Sequence, residues 1–386
     1  MAGTSRQHQR HEKKCLELLL ILPPFVEEYV DDKLGPRSPT TLLNYVLDYK
    51  SFFEWLISEC LVEAKDIKEI QLSDLDVLSL ENAKNFFKHL RRTDIKVTDQ
   101  ETKKPEENSV SRKISSLRSL FKYLTTETEI TMEKKLKYPC LKNKDIGEPY
   151  FHRNVMQKIP VYKEKSTLNS RAKNISTKIL HNEEDIQLLN FVRDDYENRL
   201  PENSRKRSFF LRDKERDFSI LSLFLSSGIR LNELANLRLR DIFFSTNEIK
   251  VIRKGNKEDI VAVFPESMLD LKSYIEIRIS RYNGSDNPGD YVFLSKYNGA
   301  GSPLSERTIQ NIVEKYTKEF FENKKSLSPH KLRHTYGTKY IEETGDLRGL
   351  MDQFGHTSTS TTVLYANSQL EKARETAKHL GKRRKT

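Results

Sequence analysis

The sequence predicts a mainly α-helical protein of two domains, with one small antiparallel β-sheet in the second. Three observations carry this. A chain of 386 residues is too long for one ordinary domain. Several stretches repeat apolar residues at steps of three and four, which is the helical period. One stretch differs: Asn247–Arg253 and Asp259–Phe264 are β-rich runs on either side of a turn near Gly255-Asn256, the pattern of a hairpin.

The elements follow in chain order. Residues 1–14 are polar and basic and are expected to be flexible. Leu16–Leu22 is a short apolar run, but charged residues precede it and no small-residue cleavage site follows. It reads as a helix end rather than a signal peptide. Ser38-Pro39 opens a helix with Leu42, Val46, Tyr49, Phe53 and Leu56 on one face. A second starts at Ser79, with Ala83, Phe86, Phe87 and Leu90 inward, and residues 93–108 are a charged loop. A third follows Ser109, with Val110, Ile114, Leu117, Phe121 and Leu124 inward. Its other side carries Arg112, Lys113, Arg118 and Lys122, a basic face that is either solvated or laid on an anion. Residues 15–132 therefore form a small helical bundle.

Residues 133–178 have Pro139, Pro149 and Pro160 and weak periodicity, and read as a linker. From 134 to 178 there are twelve Lys or Arg against three Asp or Glu, including Lys163, Lys165, Arg171 and Lys173. Such a concentration between folded regions fits a connector lying on phosphates. The second domain spans 179–368. Asn182 is expected to cap a helix with Glu183, Glu184 and Asp185 in its first turn. An apolar helix around Phe218–Leu225 ends at Gly228, and helices from Ser267 and Ser305 follow the hairpin. Residues 369–386 hold a last helix, with Leu370, Ala373, Ala377 and Leu380 on one stripe, and a basic tail.

The net charge of +11 points to an anionic partner. Nucleic acid is the commonest, although membranes and ribosomes attract bases too. No apolar run is long enough to cross a membrane, so no membrane insertion is expected. Cys15, Cys60 and Cys140 lie far apart and give neither metal spacing nor an even disulfide set, which fits a reducing, cytoplasmic setting.

One constellation organises the second domain. Ser328 and Pro329 look like the N-cap and first residue of a helix. His330 and Arg333 then stand three apart on one of its faces. Gly355 reads as the glycine past a helix end, followed by His356 and, nine residues later, Tyr365. A guanidinium binds two phosphate oxygens at once. Imidazoles donate to the remaining oxygens or move a proton, and a tyrosine oxygen can attack phosphorus. Nothing in this set resembles a metal site.

Further boxes complete a resemblance. Ser227-Gly228-Ile229-Arg230-Leu231-Asn232-Glu233-Leu234 resembles the first arginine box of the tyrosine recombinases, the phage integrase family. Lys254, 24 residues later in Arg-Lys-Gly-Asn-Lys-Glu, resembles that family's lysine hairpin. His330-Lys331-Leu332-Arg333-His334, Gly355-His356 and Tyr365 resemble its remaining boxes, in the family's order. The first half, with Gly147-Glu148-Pro149-Tyr150-Phe151-His152-Arg153-Asn154, is similar to the single-protein Xer recombinases of the XerS type. Phe354 stands where leucine is commoner, and an extra charged stretch occupies roughly 127–143.

The resemblance implies a two-domain clamp on double-stranded DNA, a tetramer on two synapsed inverted-repeat sites, and phosphoryl transfer without metal or ATP. Tyr365 would attack a phosphodiester to give a 3′-phosphotyrosyl link and a free 5′-hydroxyl. Arg230 and Arg333 would hold the non-bridging oxygens, Lys254 would protonate the leaving oxygen, and His330 would help accept the tyrosine proton. His356 would bond a phosphate oxygen or position Tyr365, with Glu233 as support. The terminal helix would dock on a neighbouring protomer. His334 reads as a surface or packing residue, Tyr336 and Tyr340 as core. Arg240, Arg253 and Lys257 read as phosphate contacts or solvated charge. The function implied is resolution of chromosome dimers. Integration of a mobile element shares its chemistry, as in large part does a nicking topoisomerase, and a DNA-binding protein that does not cut is the alternative of another class.

Overall fold

The computed structural model describes residues 6–96, 102–161, 167, 170–171, 174–175, 177–253, 257–297, 299–356, 362 and 365. It divides into two compact units, Met1–Lys165 and Ser166–Thr386. Both are mostly helical, and among the described residues all strand pairs are antiparallel. Among the described residues no helix is long and apolar enough to cross a membrane.

The first unit holds α1 (Arg6–Leu19), α2 (Pro24–Lys33), α3 (Pro39–Ser58), α4 (Leu72–Asp76), α5 (Leu80–Arg92), α6 (Glu107–Lys122) and α7 (Met132–Lys137). Ser38 accepts from the Thr41 amide at 3.3 Å and Ser79 from the Asn82 amide at 3.0 Å, so two helices start where their caps predict. The inward stripes close on a core rich in aromatic residues, among them Tyr49, Phe52, Phe53, Phe86 and Phe121. Three boundaries differ from expectation. Residues 6–14 belong to α1. The loop 93–108 contains a short hairpin, β1 (Ile95–Lys96) with β2 (Thr102–Lys103), and α6 already begins at Glu107.

The largest difference is the linker. Tyr138, Leu141, Tyr150, Phe151, Val155, Met156 and Ile159 are all buried in the first unit's core. Glu28 of α2 accepts from the Tyr150 and Tyr138 hydroxyls at 2.6 and 2.8 Å, and pairs with Lys134 and Lys137. The segment folds as short turns rather than a long helix, so its apolar residues have no period to reveal them. The expected basic face of α6 is likewise engaged within the unit. Arg112 and Lys113 pair with buried Asp48, Lys122 with Glu127, and Arg118 donates to the carbonyls of Met156, Gln157 and Ile159.

The second unit holds α8 (Glu184–Asn190), α9 (Arg205–Ser227), α10 (Leu231–Ala235), α11 (Pro265–Tyr282), α12 (Glu306–Phe320), α13 (Pro329–Thr344) and α14 (Leu347–Phe354). A three-stranded sheet of β3 (Ile242–Phe243), β4 (Glu248–Arg253) and β5 (Lys257–Ala262) lies among them, as does the hairpin β6 (Leu294–Tyr297) with β7 (Ala300–Pro303). Asn182 takes a left-handed φ of 46° and caps nothing; α8 starts two residues later, with the Glu184 carboxylate accepting from the His181 amide. Helix α9 packs on α11 and α13 and is buried over its last ten residues, Phe218–Ser227. Gly228 ends it at φ 61°, where a Cβ would lie 2.5 Å from Phe354 Cε1 and 2.7 Å from Tyr336 Cδ1. Only glycine fits that turn. Lys254 lies outside the described residues, as do Lys163, Lys165, Lys173 and the terminal segment 369–386.

Candidate active site

Helix α13 delivers the centre of the site. Ser328 sits at its N-cap and Pro329 in its first turn, and Leu332 to Thr338 are buried without interruption. A helix buried all round runs through a core, so polar groups on it need partners. Arg333 is 3 % exposed and finds backbone carbonyls: Gly228, just past the end of α9, and Phe354 at the end of α14, the latter at 3.0 Å. Its guanidinium stacks 3.8 Å from the centre of the Phe354 ring. One guanidinium therefore ties together two helix ends that carry other site residues.

Those ends are Arg230 and His356. Arg230 is the N-cap of α10, and its amide and guanidinium both donate to the Glu233 carboxylate, at 2.9 and 2.8 Å. Gly355 turns the chain at φ 57° after α14. This brings His356 Nε2 to 3.5 Å from Arg333, with Nδ1 2.9 Å from Thr362 Oγ1. Tyr365 packs edge-on against Phe354 and close over Gly337, where a Cβ would come within 2.9 Å of its ring. The expected residues Arg230, Glu233, Arg333, His356 and Tyr365 are thus brought together. His330 stands on the exposed side of α13, its ring 4.2 Å from that of His334. Of the expected phosphate contacts in this unit, Arg171 and Lys257 are exposed.

Two further residues have partners that the sequence reading did not foresee. Arg253, expected in solvent or on phosphate, has a side chain only 8 % exposed. It donates to Glu233 at 3.0 Å, Asp259 at 3.0 Å and the carbonyls of Gln353 and Phe354 at 2.8 and 3.1 Å. It fixes the strand that leads into Lys254 to both α10 and the turn before His356. The signal was available: Ile249, Val251 and Arg253 alternate along β4, and the first two face inward. His334, expected to pack or face solvent, is buried, and its Nδ1 lies 2.6 Å from the Tyr365 hydroxyl. It follows His330 by four residues, one helical turn.

The electrostatics are those of a cation pocket with too few acids. Arg230 and Arg253 share the Glu233 carboxylate, and among the described residues Arg333 has no carboxylate within hydrogen-bond reach. Burial, and then Arg333, Arg230 and Arg253, push His356 down to about 4. Burial, then His330, Lys331 and Arg333, push His334 down to about 3, and burial with nearby cations lowers His330 too. All three imidazoles are neutral at pH 7. Burial raises Tyr365 to about 12, against the pull of Arg333 and Arg230, so the phenol keeps its proton at rest. Neutral imidazoles and unbalanced guanidinium groups form a site that an anion would complete.

Fold and site define a mostly helical protein with an anion pocket lined by guanidinium groups, imidazoles and a tyrosine. The phage integrase family matches residues 190–372. The tyrosine recombinase XerS of Streptococcus uberis is 38% identical over 356 residues, covering 92% of this chain and 94% of that one. XerS of Streptococcus pyogenes serotype M6 is 38% identical over 348 residues, 90% and 92% of the two chains. Among solved structures, XerH site-specific recombinase bound to palindromic difH substrate, a post-cleavage complex, superposes with a TM-score of 0.61 at 17% identity, over 98% of this chain and 90% of that one. The XerH pre-cleavage complex gives 0.59 at 18%, over 90% and 82%; at such identity the likeness speaks for the fold. The chain belongs to the tyrosine recombinases of the phage integrase family, and is of the XerS type.

Proposed function

We propose that this recombinase resolves chromosome dimers in the cytoplasm, acting as a tetramer on two copies of an inverted-repeat, dif-like DNA site. The observation that carries the chemistry is the convergence of Arg230, Arg333, His356 and Tyr365 on the Gly228 and Phe354 turns. The XerS relatives, matched over more than nine-tenths of their length, support the cellular role over integration of a mobile element.

In this reading Arg230 and Arg333 hold the non-bridging oxygens of one phosphodiester and stabilise its charge as the transition state forms. Tyr365 Oη bonds to phosphorus, and the bond from phosphorus to the 5′ oxygen breaks. The phenol proton passes to an imidazole on α13, and Lys254 gives a proton to the departing oxygen. His356 donates to the phosphate, while Glu233 and Arg253 keep Arg230 and the lysine strand in place. The bond energy stays in the 3′-phosphotyrosyl link, and the 5′-hydroxyl of a partner strand reverses the step. Two such exchanges, through a four-way junction, recombine two duplexes. Lys163, Lys165, Arg171, Lys173 and Lys257 contact DNA phosphates, and residues 369–386 reach a neighbouring protomer.

The test uses a nicked suicide duplex, whose cleaved product cannot be rejoined. The parent protein leaves a covalent protein–DNA band on a denaturing gel. Tyr365→Phe binds the same DNA with parental affinity and leaves none. A band with Tyr365→Phe would remove Tyr365 as the nucleophile.

A further inference from the structure

The hydroxyl of Tyr365 has a definite partner. His334 Nδ1 lies 2.6 Å from it, and both side chains are buried, at 8 % and 4 % exposure. Charged or titratable groups reach His334 from its own helix (His330, Lys331 and Arg333) and from the segment after α14 (His356). None of these is an acid, and together with burial they keep the ring neutral. A neutral ring with its proton on Nε2 presents the Nδ1 lone pair to the phenol. The phenol is then the donor. Arg333 and Arg230 lie within electrostatic reach of the same oxygen, which places it between a proton acceptor and the cations that await the phosphate. His330 is on the exposed side of α13, in edge-on ring contact with His334.

We propose that His334, rather than His330, takes the proton of Tyr365 as the phosphotyrosyl bond forms. This rests on the reading of Tyr365 as nucleophile. The Oη–P bond forms, the P–O5′ bond breaks, and the phenol proton moves to Nδ1, leaving an imidazolium. The 5′ oxygen takes its proton from elsewhere, and on reversal the imidazolium returns its own to the phenol. The field of Arg333 that disfavours protonation of the resting ring is offset once a phosphodiester anion sits on that guanidinium, so His334 becomes a better base when DNA is bound. The low basicity of the empty site and the need for a base in the loaded one have the same origin.

Single-turnover cleavage of the nicked suicide duplex tests this with three variants of the full chain. His334→Asn keeps an oxygen acceptor near Nδ1 but cannot be protonated. It is expected to bind DNA as the parent does and to form the adduct about 100- to 10,000-fold more slowly, the usual worth of a positioned base. His334→Ala is expected to be equally slow and to recover with added imidazole, in proportion to the neutral form of that base. A His334→Asn rate within about threefold of the parent, or a His334→Ala defect that imidazole leaves untouched, overturns the proposal. Tyr365→Phe separates the two claims. If it still forms the adduct, the nucleophile assignment falls; if it does not while His334→Asn stays fast, only the proton acceptor falls.

Discussion

Helices α6 and α13 carry similar cations and use them in opposite ways. On α6, Arg112 and Lys113 converge on buried Asp48, at 2.8 and 3.3 Å from its Oδ1. Arg118 donates to the carbonyls of Met156 and Gln157 at 3.2 and 3.1 Å and also to that of Ile159. On α13, Arg333 is bound to two helix-end carbonyls, and the nearest acid, Glu233, is already shared by Arg230 and Arg253. The cations on α6 are engaged inside the unit and hold chain to chain. Those around α13 are held in place yet left in excess. A basic stripe in a sequence does not distinguish the two. The partners do: on α6 the cations reach Asp48, Glu127 and the carbonyls of a segment of their own unit, while around α13 the guanidinium groups brace helix ends beside imidazoles that carry no charge.

The sharpest way to break the comparison is to shorten the fork on α13. Arg333→Lys keeps the charge but not two carbonyl contacts and a bidentate grip on phosphate. Adduct formation is expected to fall about 100- to 1,000-fold, the cost of removing one preorganised donor from a developing negative charge. The readout is the single-turnover rate beside DNA affinity. An undiminished rate would mean that Arg333 braces the fold as the α6 cations do.

The matching change on α6 should act on stability instead. Arg118→Ala removes the donors that pin residues 156–159 to the first unit, and three carbonyls lose a charged partner. Hydrogen bonds to charged groups are worth about 1.5–3 kcal/mol each, less where water replaces them, so a loss of about 2–3 kcal/mol is expected from chemical denaturation. The slope of log affinity for DNA against log salt should not change. A flattened slope with intact stability would return Arg118 to the phosphate contacts.

Most of the helices, the Ser38 and Ser79 caps and the residues gathered at the Gly228 and Phe354 turns were legible because each rests on local rules. Serine caps, glycine ends and the 3.6-residue period act within a turn or two, and the boxes around Arg230, Arg333, His356 and Tyr365 are short. What escaped depends on partners distant in sequence. Arg118 finds carbonyls about forty residues on, and Glu28 finds Tyr138 and Tyr150 more than a hundred residues away. Arg253 reaches across a hundred residues to Phe354. The segment 138–159 has apolar residues enough to bury, but it folds as turns, and a search for periodicity passes over it.

Glu28 offers a pH readout of that buried segment. Burial raises its pKa, but the Lys134, Lys137, Tyr150 and Tyr138 partners outweigh it, and the folded value lies below the ordinary one. A depressed carboxylate contributes stability that is present above its unfolded pKa and lost as pH falls through its folded pKa. The parent is therefore expected to exceed Glu28→Gln in stability at pH 7, with the gap closing below about pH 4, the ordinary range of a glutamate. Urea unfolding at pH 7, 5 and 3 measures the gap. A gap independent of pH would mean that the side chain acts by shape rather than charge.

The smallest effect expected is at Lys122, and it tests the comparison where the two uses are hardest to tell apart. Its side chain is 66% exposed and donates to Glu127 at 2.6 Å. Glu127 also takes Lys33 through its other oxygen, so losing Lys122 does not orphan the carboxylate. An exposed pair of this kind is worth about 0–1 kcal/mol, and alanine recovers a little as the better helix former. Lys122→Ala is expected to leave stability within about 0.5 kcal/mol of the parent. The salt dependence of DNA binding then decides what the residue is for. A phosphate contact would flatten the log–log slope by about 0.9. Engaged with Glu127 inside its own unit, as Arg112 and Lys113 are with Asp48, Lys122 is expected to leave the slope where it was.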